Sequence, residues 1–315
     1  MAAPQTSATT TPVAIIGAGP CGLTFARLLQ TKNIDYVVFE NDSDASLTPL
    51  YQGVGEGRDA PEIDRFQLRQ LLLESIPADR IHGGHGITPV KPEYSGKMFL
   101  EGRISYSNPS YTSVLELSGP GSMMALGQGR ALMIQQVADR SYRVYMGLEG
   151  PEDLIRTSFD VGDIEATKEK LLSSEEFYRD FAPNLRQFIA DAEGPFRPWI
   201  LHRMPFSSLS WSRVPGVTLL GDAAHVSTPF VGEGVNMAMH DALKLAQSIE
   251  KHCCGPKCNL FEDSDKIEQP LKEYETEMFD RAQDFIRRCM LSEDMFFADN
   301  GAQLFMTPSL MLLKK

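Results

Sequence analysis

The stretch that decides the fold runs from Val13 to Gly22 and reads VAIIGAGPCG. Its first four residues are apolar and mostly β-branched, which is typical of a buried parallel strand. Gly17, Gly19 and Gly22 then fit the pattern G-x-G-x-x-G. In this pattern the first glycine permits a tight turn, the second lets the backbone approach a pyrophosphate, and the third lets helix and strand pack closely. We therefore predict a Rossmann-type unit that binds phosphates at the start of a helix from Leu23 to Gln30.

A carboxylate follows at the distance that such a unit requires. Tyr36 to Phe39 is predicted to form the second strand, and Glu40 stands at its end, about 20 residues past the glycines. A carboxylate at this place can accept hydrogen bonds from a ribose hydroxyl. The alternative is a glycine-rich turn that binds nothing. The order strand, helix, strand and acid favours a dinucleotide site.

A second signature lies in the last third of the chain. It reads LLGDAAHVSTPFVGEGVN from Leu219 to Asn236. Val217 to Leu220 predicts another strand, and the Gly-Asp pair that follows it ends in Asp222. A carboxylate at the end of a strand can hold a polyol hydroxyl, such as those of a ribityl chain. The alternative is that Asp222 only caps a helix.

The same signature ends where a long helix is predicted to begin. Gly232 and Gly234 precede a helix from about Val235 to Lys251, whose apolar residues recur at helical spacing. The free N–H groups and the dipole of such a helix start favour a ring that gains negative charge on reduction. Together the two signatures predict FAD, with its AMP end at the first and its flavin end at the second.

With these motifs the chain resembles a known family. GAGPCG with Glu40, EIDRFQLRQLLLESIP from Glu62 to Pro77, and GDAAHVSTPFVGEGVN are similar to the FAD-dependent aromatic-ring hydroxylases of the para-hydroxybenzoate hydroxylase type. The nearest similarity is to the tetracycline-degrading flavin monooxygenases and their fungal relatives, and it spans Val13 to about Pro308. It implies a flavin that NADPH or NADH reduces and that reacts with oxygen to a flavin hydroperoxide. The implied reaction is hydroxylation of an aromatic or polyketide-like small molecule, as in secondary metabolism.

The resemblance also implies which residues bind the cofactor. These are Gly17, Gly19, Gly22 and Glu40 for the AMP half, Arg65 in the D-R-x-x-L pattern, Asp222 on the flavin side, and Pro229, Gly232 and Gly234 beside the isoalloxazine. An exposed arginine on a helix from Arg65 to Ser75 is an equal alternative for Arg65. No catalytic side chain is implied, because the cofactor carries out the chemistry and the protein positions it and excludes water. His225 is expected to be structural.

Two departures from the family pattern bear on activity. The sequence contains no Asp-Gly dipeptide, which in the family ends a strand between the two signatures, and His82 to Phe99 runs directly from HGGHGITPV into KPEYSGKMF. After Glu40 a long excursion beside the flavin is also missing, since Gln52 and Gly53 are followed almost at once by the next helix. Loss of an inner strand exposes unpaired backbone groups and apolar faces. The alternative function is therefore a degenerate or truncated flavoprotein with impaired FAD binding or an uncoupled NADPH oxidase activity.

The expected fold is α/β. A discontinuous Rossmann-type FAD-binding domain, residues 1–93 and 204–260, is predicted to enclose an antiparallel-sheet substrate domain, residues 94–203, and to be followed by a C-terminal helical segment, residues 261–315. Within the later parts, strands and helices are predicted from residue spacing and turn signals. The strands are Thr112 to Leu117, Ala131 to Ala138 and Ser141 to Leu148, and the helices are Glu175 to Ala192 and Pro270 to Phe297.

Composition narrows the remaining classes of function. A net charge of −12 argues against nucleic acid or an anionic membrane surface as partner. Met1 to Pro12 lacks the features of a signal peptide, and five scattered cysteines suit a reducing compartment, so we expect a cytoplasmic enzyme, monomeric or homodimeric. The expected partners are a small aromatic substrate and molecular oxygen.

The sequence argues against three further hypotheses: a metal site, a halogenase and a plain dehydrogenase. HCCGPKC from His252 to Cys258 is predicted to be a turn that ends a helix, because it contains a Gly-Pro pair and no second ligand pair at zinc spacing, so no metal is expected. A flavin-dependent halogenase would need a W-x-W-x-I-P motif, and Trp199 and Trp211 are too far apart to form it. A plain NAD-dependent dehydrogenase would not explain the second signature.

Overall fold

The computed structural model describes residues 13–40, 68, 71–72, 74–77, 81–82, 90–253 and 264–307. The first three described strands form a small parallel sheet in the order β1-β2-β3. They are β1 (Val13–Ile16), β2 (Tyr36–Phe39) and β3 (Ile81–His82). Helix α1 (Pro20–Thr31) connects β1 to β2. Both predicted strands and the predicted helix are confirmed. The helix begins three residues earlier than expected, since Pro20 takes its first turn, where a missing N–H costs nothing.

The prediction that β1 is a buried strand is wrong. Of its four residues only Ile15 is buried, and Ile16 is 47% exposed. Among the described residues β1 pairs with β2 alone and is the edge strand of their sheet. The strand predicted at Val217 to Leu220 is also wrong. That segment joins no sheet in the described part of the chain, and Val217 forms only an isolated bridge with Val214.

An antiparallel sheet forms the middle of the chain. Its order is β5-β6-β7-β4-β8, and every neighbouring pair is antiparallel. The strands are β4 (Glu93–Ile104), β5 (Ser122–Gly127), β6 (Arg130–Gln136), β7 (Tyr142–Glu149) and β8 (Glu193–Arg203). β6 and β7 confirm two of the predicted strands. The predicted domain boundaries stay predictions.

Four helices cover one face of this sheet. They are α2 (Tyr111–Ser118), α3 (Leu154–Ser158), α4 (Ile164–Ser173) and α5 (Pro183–Ala190). Alternate residues of the three central strands, such as Leu100, Leu132 and Val144, are buried between the sheet and these helices. This burial fixes the register, because a shift by one residue would turn every apolar side chain to the other face.

Two element predictions in this part are wrong. Thr112 to Leu117 was expected to be a strand, but it lies in α2, where Tyr111 and Val114 are buried at helical spacing, so tertiary burial overrides the β-branched composition. The helix expected from Glu175 to Ala192 begins only at Pro183. The extended residue before that proline cannot continue a helix, so the chain turns ahead of it.

The C-terminal part is helical. It consists of α6 (Asp222–His225), α7 (Gly234–Cys253), α8 (Ser264–Phe297) and α9 (Gly301–Met306), with 3-10 turns at Phe206–Ser208 and Pro229–Val231. The two long helices confirm the predictions, and α7 packs between α1 and α8. One stripe of α8 consists of apolar residues at helical spacing, and all of them are buried: Tyr274, Met278, Ala282, Phe285, Cys289 and Phe296. Within the described ranges, no helix has the length and apolar character needed to cross a membrane.

Candidate cofactor site

The first glycine turn has one open position and two that the fold requires. Gly17 has φ +108°, and its N–H donates a hydrogen bond of 2.6 Å to the carbonyl oxygen of Phe39. A Cβ on Gly22 would lie 2.0 Å from the carbonyl oxygen of Gly17, so only glycine fits where α1 meets β1. A Cβ on Gly19 would meet no atom within 4 Å. Gly19 therefore leaves the backbone at the start of α1 open to a ligand.

Glu40 lies directly against this turn. Its Oε2 accepts a hydrogen bond of 2.5 Å from the N–H of Ala18. The carboxylate that was predicted to hold a ribose is thus at the same edge of the sheet as the start of α1. This is the arrangement that a dinucleotide requires, with N–H donors for phosphate next to an acceptor for sugar hydroxyls.

The second signature presents an unengaged carboxylate. Gly221 has φ +55°, a conformation that favours glycine, and the sharp turn that it makes leads into α6. Asp222 is the first residue of α6; its side chain is exposed and accepts no hydrogen bond from any residue in the described ranges. An exposed carboxylate at this turn is available to ligand hydroxyls.

The loop between α6 and α7 is open on its outer side. Pro229 begins a 3-10 turn and is exposed, as is Gly232, which ends it. A Cβ on Gly232 or on Gly234 would meet no atom within 4 Å. Between them the carboxylate of Glu233 is held by Arg288 of α8 at 2.9 Å. The backbone at the start of α7 is therefore accessible, while α8 fixes the loop from behind.

The two signatures touch each other, which the sequence did not indicate. The Sγ of Cys21 in α1 donates a hydrogen bond of 3.0 Å to the carbonyl oxygen of Ala238 in α7. A Cβ on Gly221 would lie 3.2 Å from the Cβ and the Sγ of Cys21. Burial, together with the nearby negative charges of Asp241 and Asp222, raises the pKa of the Cys21 thiol far above its ordinary value, so it remains a donor. The contact brings the predicted AMP side and flavin side of the site together.

A buried polar network lies beneath the second signature. The carboxylate of Asp241 in α7 is fully buried. Its Oδ2 accepts a hydrogen bond from the N–H of Gly221 at 2.8 Å and lies 2.6 Å from Nε2 of His225. Its Oδ1 accepts a hydrogen bond from Nη2 of Arg281 at 2.8 Å. Burial acts to raise the pKa of Asp241, but the bonds from His225, Arg281 and Gly221 outweigh it and hold that pKa below its ordinary value. His225 is itself buried.

Sequence reasoning missed both Asp241 and Arg281. One signal was available for Asp241, because it is a carboxylate within the apolar stripe of the predicted helix, between Ala238 and Ala242. No comparable signal marks Arg281. Its link to Asp241 spans 40 positions of the chain.

Two other predictions concern residues near this region. Arg65 lies outside the described residues. Residues 254–258 of the HCCGPKC stretch also lie outside the described residues. His252, which precedes them, is paired with Glu273 of α8 at 2.9 Å. The residues that the structure describes contain no group of three or more potential metal ligands.

The residues present fit FAD. The open backbone at Gly19 and at Gly234 supplies N–H donors at two helix starts, and Glu40 and Asp222 supply acceptors for sugar and ribityl hydroxyls. The hydrogen bond from Cys21 to Ala238, and the position of Gly221 beside Cys21, place the starts of α1 and α6 next to each other.

Family comparisons agree with the two signatures. A family model described as an FAD binding domain matches residues 168–287, and one described as an NAD(P)-binding Rossmann-like domain matches residues 15–48. Among curated proteins, Monooxygenase penA of Penicillium thymicola is 23% identical over 421 aligned positions, covering 92% of this chain and 96% of penA. The FAD-dependent urate hydroxylase of Klebsiella oxytoca is 25% identical over 296 positions, covering 81% of this chain and 70% of its own.

Solved structures show the same fold. HpxO of Klebsiella pneumoniae, complexed with FAD and uric acid, has a TM-score of 0.67 at 19% identity and covers 96% of this chain and 92% of its own. The tetracycline destructase Tet(55) has a TM-score of 0.62 at 14% identity, and the match covers 97% of this chain and 96% of Tet(55).

The alignment to penA also shows that this chain is shorter than penA. It runs over 421 positions, whereas the whole chain has 315 residues, so a large part of penA lies opposite gaps. The gaps are internal, since the alignment covers nearly all of both proteins. The motifs, both domain matches, the relatives along most of the chain and the shared fold agree: the chain is similar over most of its length to FAD-dependent monooxygenases.

Proposed function

We propose that this chain binds FAD across its two signatures and hydroxylates an aromatic or polyketide-like small molecule with NADPH or NADH and oxygen. The observation that carries the proposal is the contact of Cys21 with Gly221 and Ala238. It joins the open start of α1 to the turn that presents Asp222. One extended cofactor could therefore reach both signatures without any movement of the two helices.

The proposed roles follow the geometry. The N–H groups after Gly19 would hold the pyrophosphate, Glu40 the ribose of the AMP half, and Asp222 the ribityl chain. Pro229, Gly232 and Gly234 would lie beside the ring. When bound, FAD would supply the redox chemistry by accepting a hydride from the nicotinamide and activating oxygen. No side chain of the chain is proposed as a catalytic base.

The face of the antiparallel sheet opposite α2 to α5 is the proposed substrate side. Phe230 of the second signature packs on Phe99 of β4, with ring centroids 6.0 Å apart, so the flavin-side loop adjoins this face. Next to it Trp199 pairs in register with Phe99, is 39% exposed, and donates from Nε1 to Glu101 at 2.7 Å. Exposed aromatic surface with fixed polar atoms suits a flat aromatic substrate.

A degenerate or uncoupled flavoprotein is the second candidate. The edge position of β1 and the absence of Val217 to Leu220 from any described sheet favour it, because both leave the proposed site with less support than a complete parallel sheet would give. Poor exclusion of water would release the activated oxygen as peroxide instead of transferring it. A cytoplasmic location and a monomeric or homodimeric state remain predictions.

The visible spectrum of the purified protein, before and after added FAD and gel filtration, tests the proposal first. Flavin bands that stay with the protein, and that Asp222→Ala and Gly17→Ala each abolish, would support the two-signature site. NADPH or NADH consumption that rises with an aromatic substrate and exceeds peroxide release would support hydroxylation. Peroxide equal to the nicotinamide consumed would indicate the uncoupled alternative. A protein that stays colourless with added FAD would overturn the proposal.

A further inference from the structure

The Asp241 network is more than a buried ion pair, because one of its donors is a backbone group of the site. The Oδ2 of Asp241 accepts the N–H of Gly221 at 2.8 Å, and Gly221 is the residue directly before Asp222. The Oδ1 of the same carboxylate is held by Arg281 at 2.8 Å. Asp241 is fully buried, so water does not compete for these bonds.

The surroundings of this turn explain why such a bond would matter. In the first signature, β1 is held to β2 by a parallel ladder, and the Gly17 N–H is bonded to Phe39. The segment before Gly221 belongs to no sheet in the described part of the chain. It is attached to α8 instead: Tyr274 donates from its hydroxyl to the carbonyl oxygen of Leu219 at 3.0 Å, and Thr218 donates to Glu275 at 2.8 Å. Helix α8 therefore takes over the support that a neighbouring strand would supply.

We propose that Asp241 and Arg281 are positioning residues that orient the Gly221–Asp222 turn toward the cofactor. Arg281 holds the Asp241 carboxylate in place, Asp241 holds the Gly221 N–H, and the turn then directs the Asp222 side chain outward. The inference rests on the proposed function, since it takes Asp222 as the group that contacts the flavin half of FAD. Helix α8 would thereby contribute to cofactor binding through Arg281.

The proposal makes a selective prediction about ligands. ADP offers only the groups that the first signature would bind, whereas FAD also needs Asp222. Arg281→Gln should raise the Kd for FAD about tenfold or more, as loss of a residue that orients a ligand-binding group commonly does. The Kd of the same variant for ADP should stay within about twofold of the wild-type value. Arg281→Lys keeps a cation beside Asp241 and should recover most of the FAD affinity.

Isothermal titration of wild type, Arg281→Gln, Arg281→Lys and Asp241→Asn with FAD and with ADP performs the test. Lys251→Gln is the matched control, because Lys251 forms an exposed pair with Glu273 between the same two helices. A loss of FAD affinity alone supports the proposal. Equal losses for FAD and ADP would mean a merely structural role and would overturn it, as would unchanged FAD affinity in Arg281→Gln and Asp241→Asn.

Hydrogen–deuterium exchange separates this proposal from the proposed function. In Arg281→Gln, exchange should become faster at residues 217–225 and stay unchanged at residues 13–22. If wild type binds no FAD, the proposed function fails, and this exchange pattern still decides whether Arg281 holds the turn. Faster exchange in both segments, or in neither, contradicts the positioning role.

Discussion

Gly19 and Gly22 stand three residues apart in one turn, and the structure gives them different tasks. A side chain on Gly22 would collide with the backbone of Gly17, so this glycine serves the packing of α1 on β1. A side chain on Gly19 would extend into open space, with φ −76° and ψ 176° that any residue adopts. The motif therefore combines a requirement of the fold with a requirement of the ligand.

Replacing each glycine with alanine should separate these requirements. Gly22→Ala should destabilise the fold by about 2 kcal/mol or more, because backbone atoms cannot move aside. Gly19→Ala should change the free energy of unfolding by less than about 1 kcal/mol but weaken FAD binding about tenfold, because the methyl group blocks the approach of the pyrophosphate. Urea unfolding and FAD titration of both variants check this. Equal stability of the two variants would contradict the assignment.

At the scale of elements, helix α8 supports much of the second signature. The Oε1 of Glu275, a residue only 3% exposed, accepts hydrogen bonds from Arg213 Nη1 at 2.7 Å and from Thr218 Oγ1 at 2.8 Å. Further along the helix, Arg288 holds Glu233 at 2.9 Å. The apolar stripe of α8 was visible in the sequence, but the contacts of its polar residues were not.

Glu275→Ala should lower the free energy of unfolding by about 1–3 kcal/mol, because it removes the buried acceptor of the part-buried donors of Arg213 and Thr218. Urea denaturation gives this value. The matched control is Glu250→Ala, since Glu250 pairs with Lys32 on the exposed side of α7 and should cost less than about 1 kcal/mol. If Glu275→Ala is no more destabilising than the control, α8 does not support the segment before Gly221.

At the scale of the whole molecule, Glu293 of α8 joins the antiparallel sheet to the second signature. It is 2% exposed, accepts a hydrogen bond from Thr228 Oγ1 at 3.1 Å, and lies 3.4 Å from Arg203 of β8. Burial raises the pKa of the Glu293 carboxyl above its ordinary value of 4.5, although the charges of Arg203 and Lys97 and the bond from Thr228 act in the opposite direction.

This pKa predicts the sign of a pH effect. Because the folded state binds the Glu293 proton more tightly than the unfolded state, its contribution to stability falls as pH rises from 4.5 through the raised folded-state pKa. Glu293→Gln cannot titrate. The free energy of unfolding of wild type minus that of Glu293→Gln should therefore decrease with rising pH across this window. Urea unfolding of both proteins at a series of pH values measures it, and a difference that increases with pH would contradict the prediction.

Within the part of the chain that the structure describes, β1 is an unpaired edge of the parallel sheet, which is a second property at this scale. Exposed edge strands pair with other chains and promote aggregation, and a lysine on the edge opposes such pairing. Ala14 is exposed on β1, so Ala14→Lys should increase the fraction of monomer in gel filtration at high concentration and leave the melting temperature unchanged. Ala14→Val, which favours strand pairing, should have the opposite effect. Indistinguishable aggregation of the two variants would show that this edge is covered.

The sequence by itself determined the two glycine signatures, the strands β1, β2, β6 and β7, and the long helices α7 and α8. These depend on residue spacing within one segment, where hydrogen bonding and burial repeat with the period of the element. Tertiary structure alone decided that Val217 to Leu220 joins no described sheet and that residues 112–117 are helical. A strand forms only where another strand lies beside it, and the sequence of one segment does not show whether such a strand is present. It also decided the contact of Cys21 with Gly221 and the bond of Asp241 to Arg281. A buried polar group must find its partner in space, and that partner can lie anywhere in the chain.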